Sequence, residues 1–217
     1  MKDRKNLSLG IDSSLSYCSI TVFKNEKIIW NSEKKCDFGH EKYLSKMLAK
    51  MTKDLSINSY DFDSLYLNYG PARFTCIRGC HALMKGYFIN NPIKIYAYSI
   101  FEHYFLGISK LSFNRLACIV DTNRRDLGVQ IINQKGELIG SLITYNIDDN
   151  LINELNKNDF IIGNGINRLN HIDSFKKISK KCKKPIQLKS KYFINYKFFS
   201  KKPQKTIPLI EYPYSPI

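Results

Sequence analysis

Apolar and polar positions change period along the chain, and each change marks an element. Leu7 to Ser13 is a short, nearly continuous apolar run, which predicts a buried strand. Tyr17 to Phe23 alternates Cys18, Ile20 and Val22 against Ser19, Thr21 and Phe23, which predicts a second strand. Asn25-Glu26 reads as a turn, and Lys27 to Trp30 opens a third strand, giving an antiparallel meander. The period then moves from two to 3.6. Over His40 to Ser56, Tyr43, Leu44, Met47, Leu48, Met51 and Leu55 recur at helical spacing. A strand over Ser64 to Asn68 is followed by Gly70-Pro71 as punctuation. A second amphipathic helix over Phe74 to Phe88 carries Phe74, Ile77, His81, Met84 and Phe88 near one stripe. Asn90-Asn91-Pro92 ends it, because proline cannot continue a helix. Ile93 to Ala97 is a further strand, and Ser99 caps a third helix reaching Gly107.

The same order then starts again. Leu116 to Asp121, Leu127 to Ile132 and Leu138 to Tyr145 read as strands, with Gln134-Lys135-Gly136 as a turn. A short helix fits Asp148 to Asn156, and Phe160 to Ile162 is a strand ending in Gly163-Asn164-Gly165. A βββαβα order repeated with decay predicts an α/β protein of actin-like (ASKHA) architecture. It divides into two related subdomains, residues 1–110 and 111–217.

Composition changes this picture little. The 217 residues are 43% hydrophobic, enough for an ordinary core. With no long apolar run and no signal-peptide pattern, a cytoplasmic location is expected. Six cysteines (Cys18, Cys36, Cys76, Cys80, Cys118 and Cys182) then read as reduced, buried thiols. Cys76 and Cys80 can share a helix face, but no His or Cys pair with zinc spacing completes a site, so neither metal nor cofactor is expected.

Charge is uneven. The net charge is +15, yet Ser174 to Ile210 holds 12 Lys and no Asp or Glu. Phe175, Tyr192, Phe193, Tyr196, Phe198 and Phe199 lie in that segment. Basic groups interleaved with aromatics suit a nucleic-acid backbone and stacked bases, with Lys180, Lys181, Lys183, Lys184, Lys189 and Lys191 as candidate contacts. The plainer reading is a solvated surface over a core that contains the aromatics. The abundance of Lys, Asn and Ile also matches an AT-rich genome.

Several motifs carry a family resemblance. Leu9-Gly10-Ile11-Asp12-Ser13-Ser14 followed by Cys18-Ser19-Ile20 resembles the I-D-T-S…S-V opening of the bacterial TsaB (YeaZ) family. His40 and Leu44 resemble its H-S-x-x-L-L. Gly70-Pro71-Ala72-Arg73-Phe74-Thr75-Cys76-Ile77-Arg78 resembles G-P-G-S-F-T-G-[IL]-R, and Lys85-Gly86 its K-G end. Asp121 to Leu127 resembles D-A-R-x-x-E-V, and Gly163-Asn164-Gly165 a similar glycine turn. The chain departs from these patterns at Ala72, Arg73 and Cys76, at Thr122, Asn123 and Gly128, and across its C-terminal region.

The resemblance implies an actin-like fold and a non-catalytic subunit, homodimeric when alone. It implies pairing with a catalytic paralogue, TsaD, which transfers threonylcarbamoyl to the tRNA adenosine beside the anticodon, and an ATPase, TsaE, in the assembly. No H-x-x-x-H pair of the catalytic paralogue is present. Neither is a P-loop or a G-x-S-x-G elbow. Asp12, Ser13, Ser14 and Asp121 are therefore read as a vestigial nucleotide site, with Asp12 capping a hairpin turn. Function then falls to a surface. His40, Tyr43, Leu44, Met47 and Met51, with Phe74, Ile77, Arg78, His81 and Met84, offer more apolar area than one sheet requires and are the candidate partner interface. His40 could instead cap its helix, and His81 could sit in the core. Two competing readings are an active ATP-dependent kinase of the same fold and a plain RNA-binding protein.

Overall fold

A computed structural model describes residues 7–109, 111–123, 126–145, 155–156, 159–178 and 187–210. Strands β1 (Leu7–Asp12), β2 (Tyr17–Lys24) and β3 (Lys27–Lys35) form the meander, followed by helix α1 (His40–Leu55). Strand β4 (Phe62–Gly70), helix α2 (Phe74–Tyr87), strand β5 (Lys94–Ser99) and helix α3 (Ile100–Ile108) complete the first half. The sheet order is β3-β2-β1-β4-β5, with β1, β4 and β5 parallel and β2 antiparallel to β1. Strands β6 (Arg115–Val120), β7 (Leu127–Asn133), β8 (Leu138–Tyr145) and β9 (Phe160–Ile162) form the second sheet in the order β8-β7-β6-β9. The same antiparallel meander with a parallel neighbour beside its first strand recurs there. This is the actin-like pattern of two mixed sheets that the repeat predicts. Short helices α4 (Ile166–Leu169) and α5 (Asp173–Ile178) follow, then a 3₁₀ segment over Ser190–Phe198. The helix expected over 148–156 falls largely outside the described residues. No helix among the described residues is long and apolar enough to cross a membrane.

The amphipathic stripes explain the layering. Leu44, Met47 and Met51 of α1 and Met84 of α2 pack on Leu9, Ile11, Ile20, Leu65 and Leu67 of the first sheet. Each fully buried side chain of this kind stabilises the fold by about 1.5–3 kcal/mol relative to exposure. Helix α3 is apolar all round because it is covered all round. Ile100, Phe101, Tyr104 and Phe105 pack on Leu116, Cys118 and Val120 of the second sheet, while Leu106 joins Tyr66 and Tyr98 of the first. Its N-terminus is closed by a capping box in which Glu102 N donates to Ser99 Oγ and Ser99 N donates to Glu102 Oε2.

The C-terminal segment returns to the first sheet. Phe193 is buried against Tyr98 and Tyr66, and residue 204 bridges Ile95 at the β5 edge. The aromatics of the basic segment accordingly act as core: Phe175 lies under the second sheet and Phe193 over the first. Gly10 lets the segment approach. A Cβ there would stand 2.9 Å from the Phe23 ring and 3.1 Å from Ser190 O.

Candidate functional site

In an actin-like nucleotidase, the turn after the first strand of each half must present a carboxylate and free backbone groups to a metal and phosphates. Here Arg73 links the two turns at the junction of the halves, and both are engaged within the chain. Asp12 ends β1 and is 1% exposed. Its Oδ1 accepts from Ser14 Oγ at 2.7 Å and Ser14 N at 3.3 Å, while Oδ2 has no hydrogen-bond partner among the described residues. Ser13 Oγ donates to Cys76 O at 3.0 Å. His103 Nδ1 stands 3.8 Å from Asp12 Oδ1. Its Nε2 lies 3.1 Å from Lys189 O, which only accepts, so Nε2 carries the hydrogen and Nδ1 offers a lone pair towards the carboxyl. Burial pushes the Asp12 carboxyl above its ordinary range and the His103 imidazole below its own, each partly opposed by the other. Phe193 stacks on His103 at 4.2 Å and closes this side.

Asp121, after β6, sits at the matching place of the second half. Its Oδ1 accepts from Asn123 N at 2.7 Å and Arg168 Nη1 at 3.2 Å. Asn164 pins its backbone, accepting from Asp121 N at 3.0 Å and donating to Asp121 O at 2.6 Å. The turn that presents Asn164 requires Gly163. Its φ is +117°, and a Cβ would fall 1.9 Å from Ile119 O.

Arg73 spans the gap between the two turns. Its N–H donates to Ser14 O at 3.0 Å, and its guanidinium reaches Asp37 O at 3.4 Å, Ser16 Oγ at 3.5 Å and Asn123 Oδ1 at 3.3 Å. The family pattern has a small residue here. The departure puts a fixed cation between the turns. The four nucleotide-site candidates thus lie where the sequence places them, at the two turns, with their polar atoms turned to neighbours in the chain.

The interface candidates divide by exposure. His40, Leu44, Met47, Met51, Ile77, His81 and Met84 are buried within the chain, and Tyr43 is half-buried. His40 Nε2 donates to Leu15 O at 2.7 Å and His81 Nε2 to Asn68 O at 2.8 Å, so both histidines pin helices to strand ends. Burial lowers the His81 pKa. Phe74 is 43% exposed and Arg78 lies over its ring at 4.7 Å. Phe38, 89% exposed, adjoins Asp37, whose carbonyl Arg73 holds. No periodic pattern covers this loop residue, so nothing local in the sequence singles Phe38 out. Of the lysine candidates, Lys189 pairs with Glu33 and lies over the Tyr17 ring, and Lys191 is 4.0 Å from Glu33. Lys180, Lys181, Lys183 and Lys184 lie outside the described residues.

A further cluster lies beside the α1–α2 helix starts. Cys18 Sγ is 3.0 Å from Cys36 Sγ, and Cys76 Sγ is 3.3 Å from His40 Nδ1. Cys18, Cys36 and His40 are mutually close, Cys76 touches the group through His40 Nδ1, and Cys80, whose thiol burial pushes up to about 12, touches none of them in a hydrogen bond. The local Cys76/Cys80 spacing therefore points to the wrong partner for Cys76.

No family model matches the chain. The TsaB tRNA threonylcarbamoyladenosine biosynthesis protein of Buchnera aphidicola from Schizaphis graminum is 24% identical over 197 residues, 83% of this chain and 89% of that protein. Its counterpart from the Acyrthosiphon pisum strain is 30% identical over 94 residues, 43% of this chain and 42% of that protein. Among solved structures, an uncharacterized Pseudomonas aeruginosa protein with similarity to peptidase YeaZ superposes with a TM-score of 0.74 at 14% identity, covering 95% of this chain and 99% of that one. Pseudomonas aeruginosa YeaZ itself gives 0.68 at 14% identity, covering 87% and 89%. The chain thus resembles TsaB proteins in sequence along most of its length and shares the fold of Pseudomonas aeruginosa YeaZ.

Proposed function

We propose that this chain is the non-catalytic partner subunit for threonylcarbamoylation of tRNA adenosine next to the anticodon. The carrying observation is the cleft, where Asp12 is buried, Asp121 is held by Arg168 and Arg73 bridges the turns between them. A buried carboxyl facing an imidazole lone pair is a poor ligand for hydrated magnesium, which binds charged, accessible oxygens. The role of the two Buchnera relatives, biosynthesis of threonylcarbamoyladenosine in tRNA, supports the same reading.

In this account the chain works as a cytoplasmic scaffold. It docks on a TsaD-like catalytic paralogue, joins a TsaE-like ATPase, and forms a homodimer when alone. The docking face is the exposed side of the α1–α2 pair, centred on Phe38, Phe74 and Arg78, with Tyr43 at its edge. An aromatic-and-arginine patch of this kind suits a binding hot spot. The buried stripe beneath it holds the two helices on their own sheet. Any tRNA contact falls to Lys180, Lys181, Lys183 and Lys184, because Lys189 and Lys191 already face Glu33.

The test is reconstitution. Purified chain, catalytic paralogue, ATPase and tRNA, supplied with ATP and an activated threonylcarbamoyl donor that loses its leaving group on transfer, are expected to form threonylcarbamoyladenosine only when all the proteins are present, and ATP is expected to leave the melting of the isolated chain unchanged. ATP hydrolysis by the isolated chain, or modification that proceeds without it, overturns the proposal.

A further inference from the structure

Three thiols and one imidazole converge beside the starts of α1 and α2, outside the cleft. They come from four separate stretches. Cys18 lies at the start of β2, Cys36 just beyond β3, His40 at the first position of α1 and Cys76 in the first turn of α2. All four are buried. Ligating atoms of Cys18, Cys36 and His40 lie within 4.8 Å of one another. Cys76 Sγ lies 3.3 Å from His40 Nδ1. His40 Nε2 faces the Leu15 carbonyl at 2.7 Å. A carbonyl only accepts, so Nε2 carries the hydrogen and Nδ1 is left with a lone pair.

We propose that Cys18, Cys36, His40 and Cys76 form a tetrahedral zinc site that staples the N-terminal meander to both helices. Three sulfurs and one imidazole nitrogen are a common donor set for closed structural zinc. The Nε2–H to carbonyl contact is the outer-shell arrangement that fixes the tautomer and orientation of a metal-bound histidine. Bond lengths of zinc to sulfur and nitrogen put ligand atoms about 3.5–3.8 Å apart in a tetrahedron. The Cys76–His40 separation is within a few tenths of an ångström of that, while Cys76 lies outside the group of Cys18, Cys36 and His40 within 4.8 Å and its sulfur has to move towards the other two thiols on binding. The Cys18 and Cys36 sulfurs, at 3.0 Å, have to part by less than about 1 Å. A disulfide between Cys18 and Cys36 would use two of the four groups and leave the His40 lone pair and Cys76 idle, whereas one metal ion uses all four.

Binding releases the three thiol protons and leaves three thiolates on a divalent ion. Coordination of this kind contributes directly to folding. It also bears on the neighbouring turn, because Ser13 Oγ is held by Cys76 O at 3.0 Å. The site stands independently of the scaffold role.

The test uses the full chain, purified under reductant, with zinc counted by mass spectrometry and cobalt(II) as the spectroscopic probe. One zinc per chain is expected. The metal-free chain should bind one cobalt with the intense visible bands of a tetrahedral site and a thiolate charge-transfer band scaled to three sulfurs. Cys36→Ser should abolish stoichiometric binding and Cys76→Ser should weaken it at least tenfold. Cys80→Ser, one helical turn away, should leave it unchanged. If Cys36→Ser fails to fold, the wild-type charge-transfer intensity still counts the sulfurs. A reduced, folded wild-type chain that takes up neither zinc nor tetrahedral cobalt overturns the proposal, as does a chain whose Cys18 and Cys36 are found joined as a disulfide. Unchanged binding by Cys76→Ser overturns the four-ligand assignment.

Discussion

Asp12 ends the first strand of its sheet and Asp121 follows the first strand of the other, and the chain engages the two carboxyls in different ways. Asp12 is sealed. It is 1% exposed, its Oδ2 is unpartnered among the described residues, and it faces His103 under the stacked Phe193. Asp121 keeps a side chain that is 14% exposed, but Arg168 and the Asn123 N–H occupy its Oδ1. One carboxyl is desolvated and the other is paired, so equivalent positions of the two halves are held by different physical means, with Arg73 linking the turns between them.

Each half of this comparison can be broken. Gly163→Ala has the largest expected effect, because the new methyl meets the Ile119 carbonyl at a positive φ and dislodges Asn164 from Asp121. A loss of about 4 kcal/mol or more is expected, read as a collapse of the urea midpoint. Phe193→Ala uncovers the Asp12 side by deleting a fully buried ring, with an expected cost of about 3–4 kcal/mol in the same assay. The charge substitutions should then differ in sign. Asp12→Asn removes a carboxyl whose charge burial penalises, and above the raised folded pKa it should increase stability by about 1 kcal/mol. Asp121→Asn loses a partly exposed pair with Arg168 and should lower stability by about 0.5–1 kcal/mol.

The pH dependence sharpens the contrast further. The folded Asp12 pKa is raised by burial, so the folded state takes up the proton before the unfolded chain does. The penalty for its charge is present above the folded value and is relieved as pH falls towards the ordinary aspartate value. The stability advantage of Asp12→Asn should therefore shrink on acidification. His103 works in the opposite direction, since its lowered pKa makes stability fall as pH drops below the ordinary histidine value. That part should persist in Asp12→Asn while His103 stays buried. Parallel pH–stability curves for the two proteins would contradict the assignment.

Most of the first half was legible in the sequence because its signals are local. Alternation marks β2, the 3.6-residue stripe marks α1 and α2, and Ser99 with Glu102 marks the start of α3. Less of the site could be read. An amphipathic stripe shows which face is buried but not what buries it, so Met47, Ile77 and Met84 read equally well as interface or core. The structure places them in the core, which leaves Phe38, Phe74 and Arg78 as the exposed residues on which the proposed docking face rests. The return of residues 190–204 to the first sheet and the meeting of Cys18 and Cys36 with His40 and Cys76 join distant stretches of chain. No local period encodes either, although Gly10 beneath Ser190 is a trace of the first. Arg73 was visible as a departure from the glycine-rich pattern, but its reach to Asn123 required both halves in place.

The central claim is that function lies on the outer face of α1 and α2 and not in the cleft. Titration calorimetry of this chain against the catalytic paralogue of its own genome tests it most directly, comparing wild type with Phe74→Asp plus Arg78→Glu. Both substitutions are on exposed positions, so melting and circular dichroism should be unchanged. The account predicts a complex for the wild type and at least a hundredfold weaker binding for the double variant. Equal binding by both proteins, or no complex for the wild type, would contradict it.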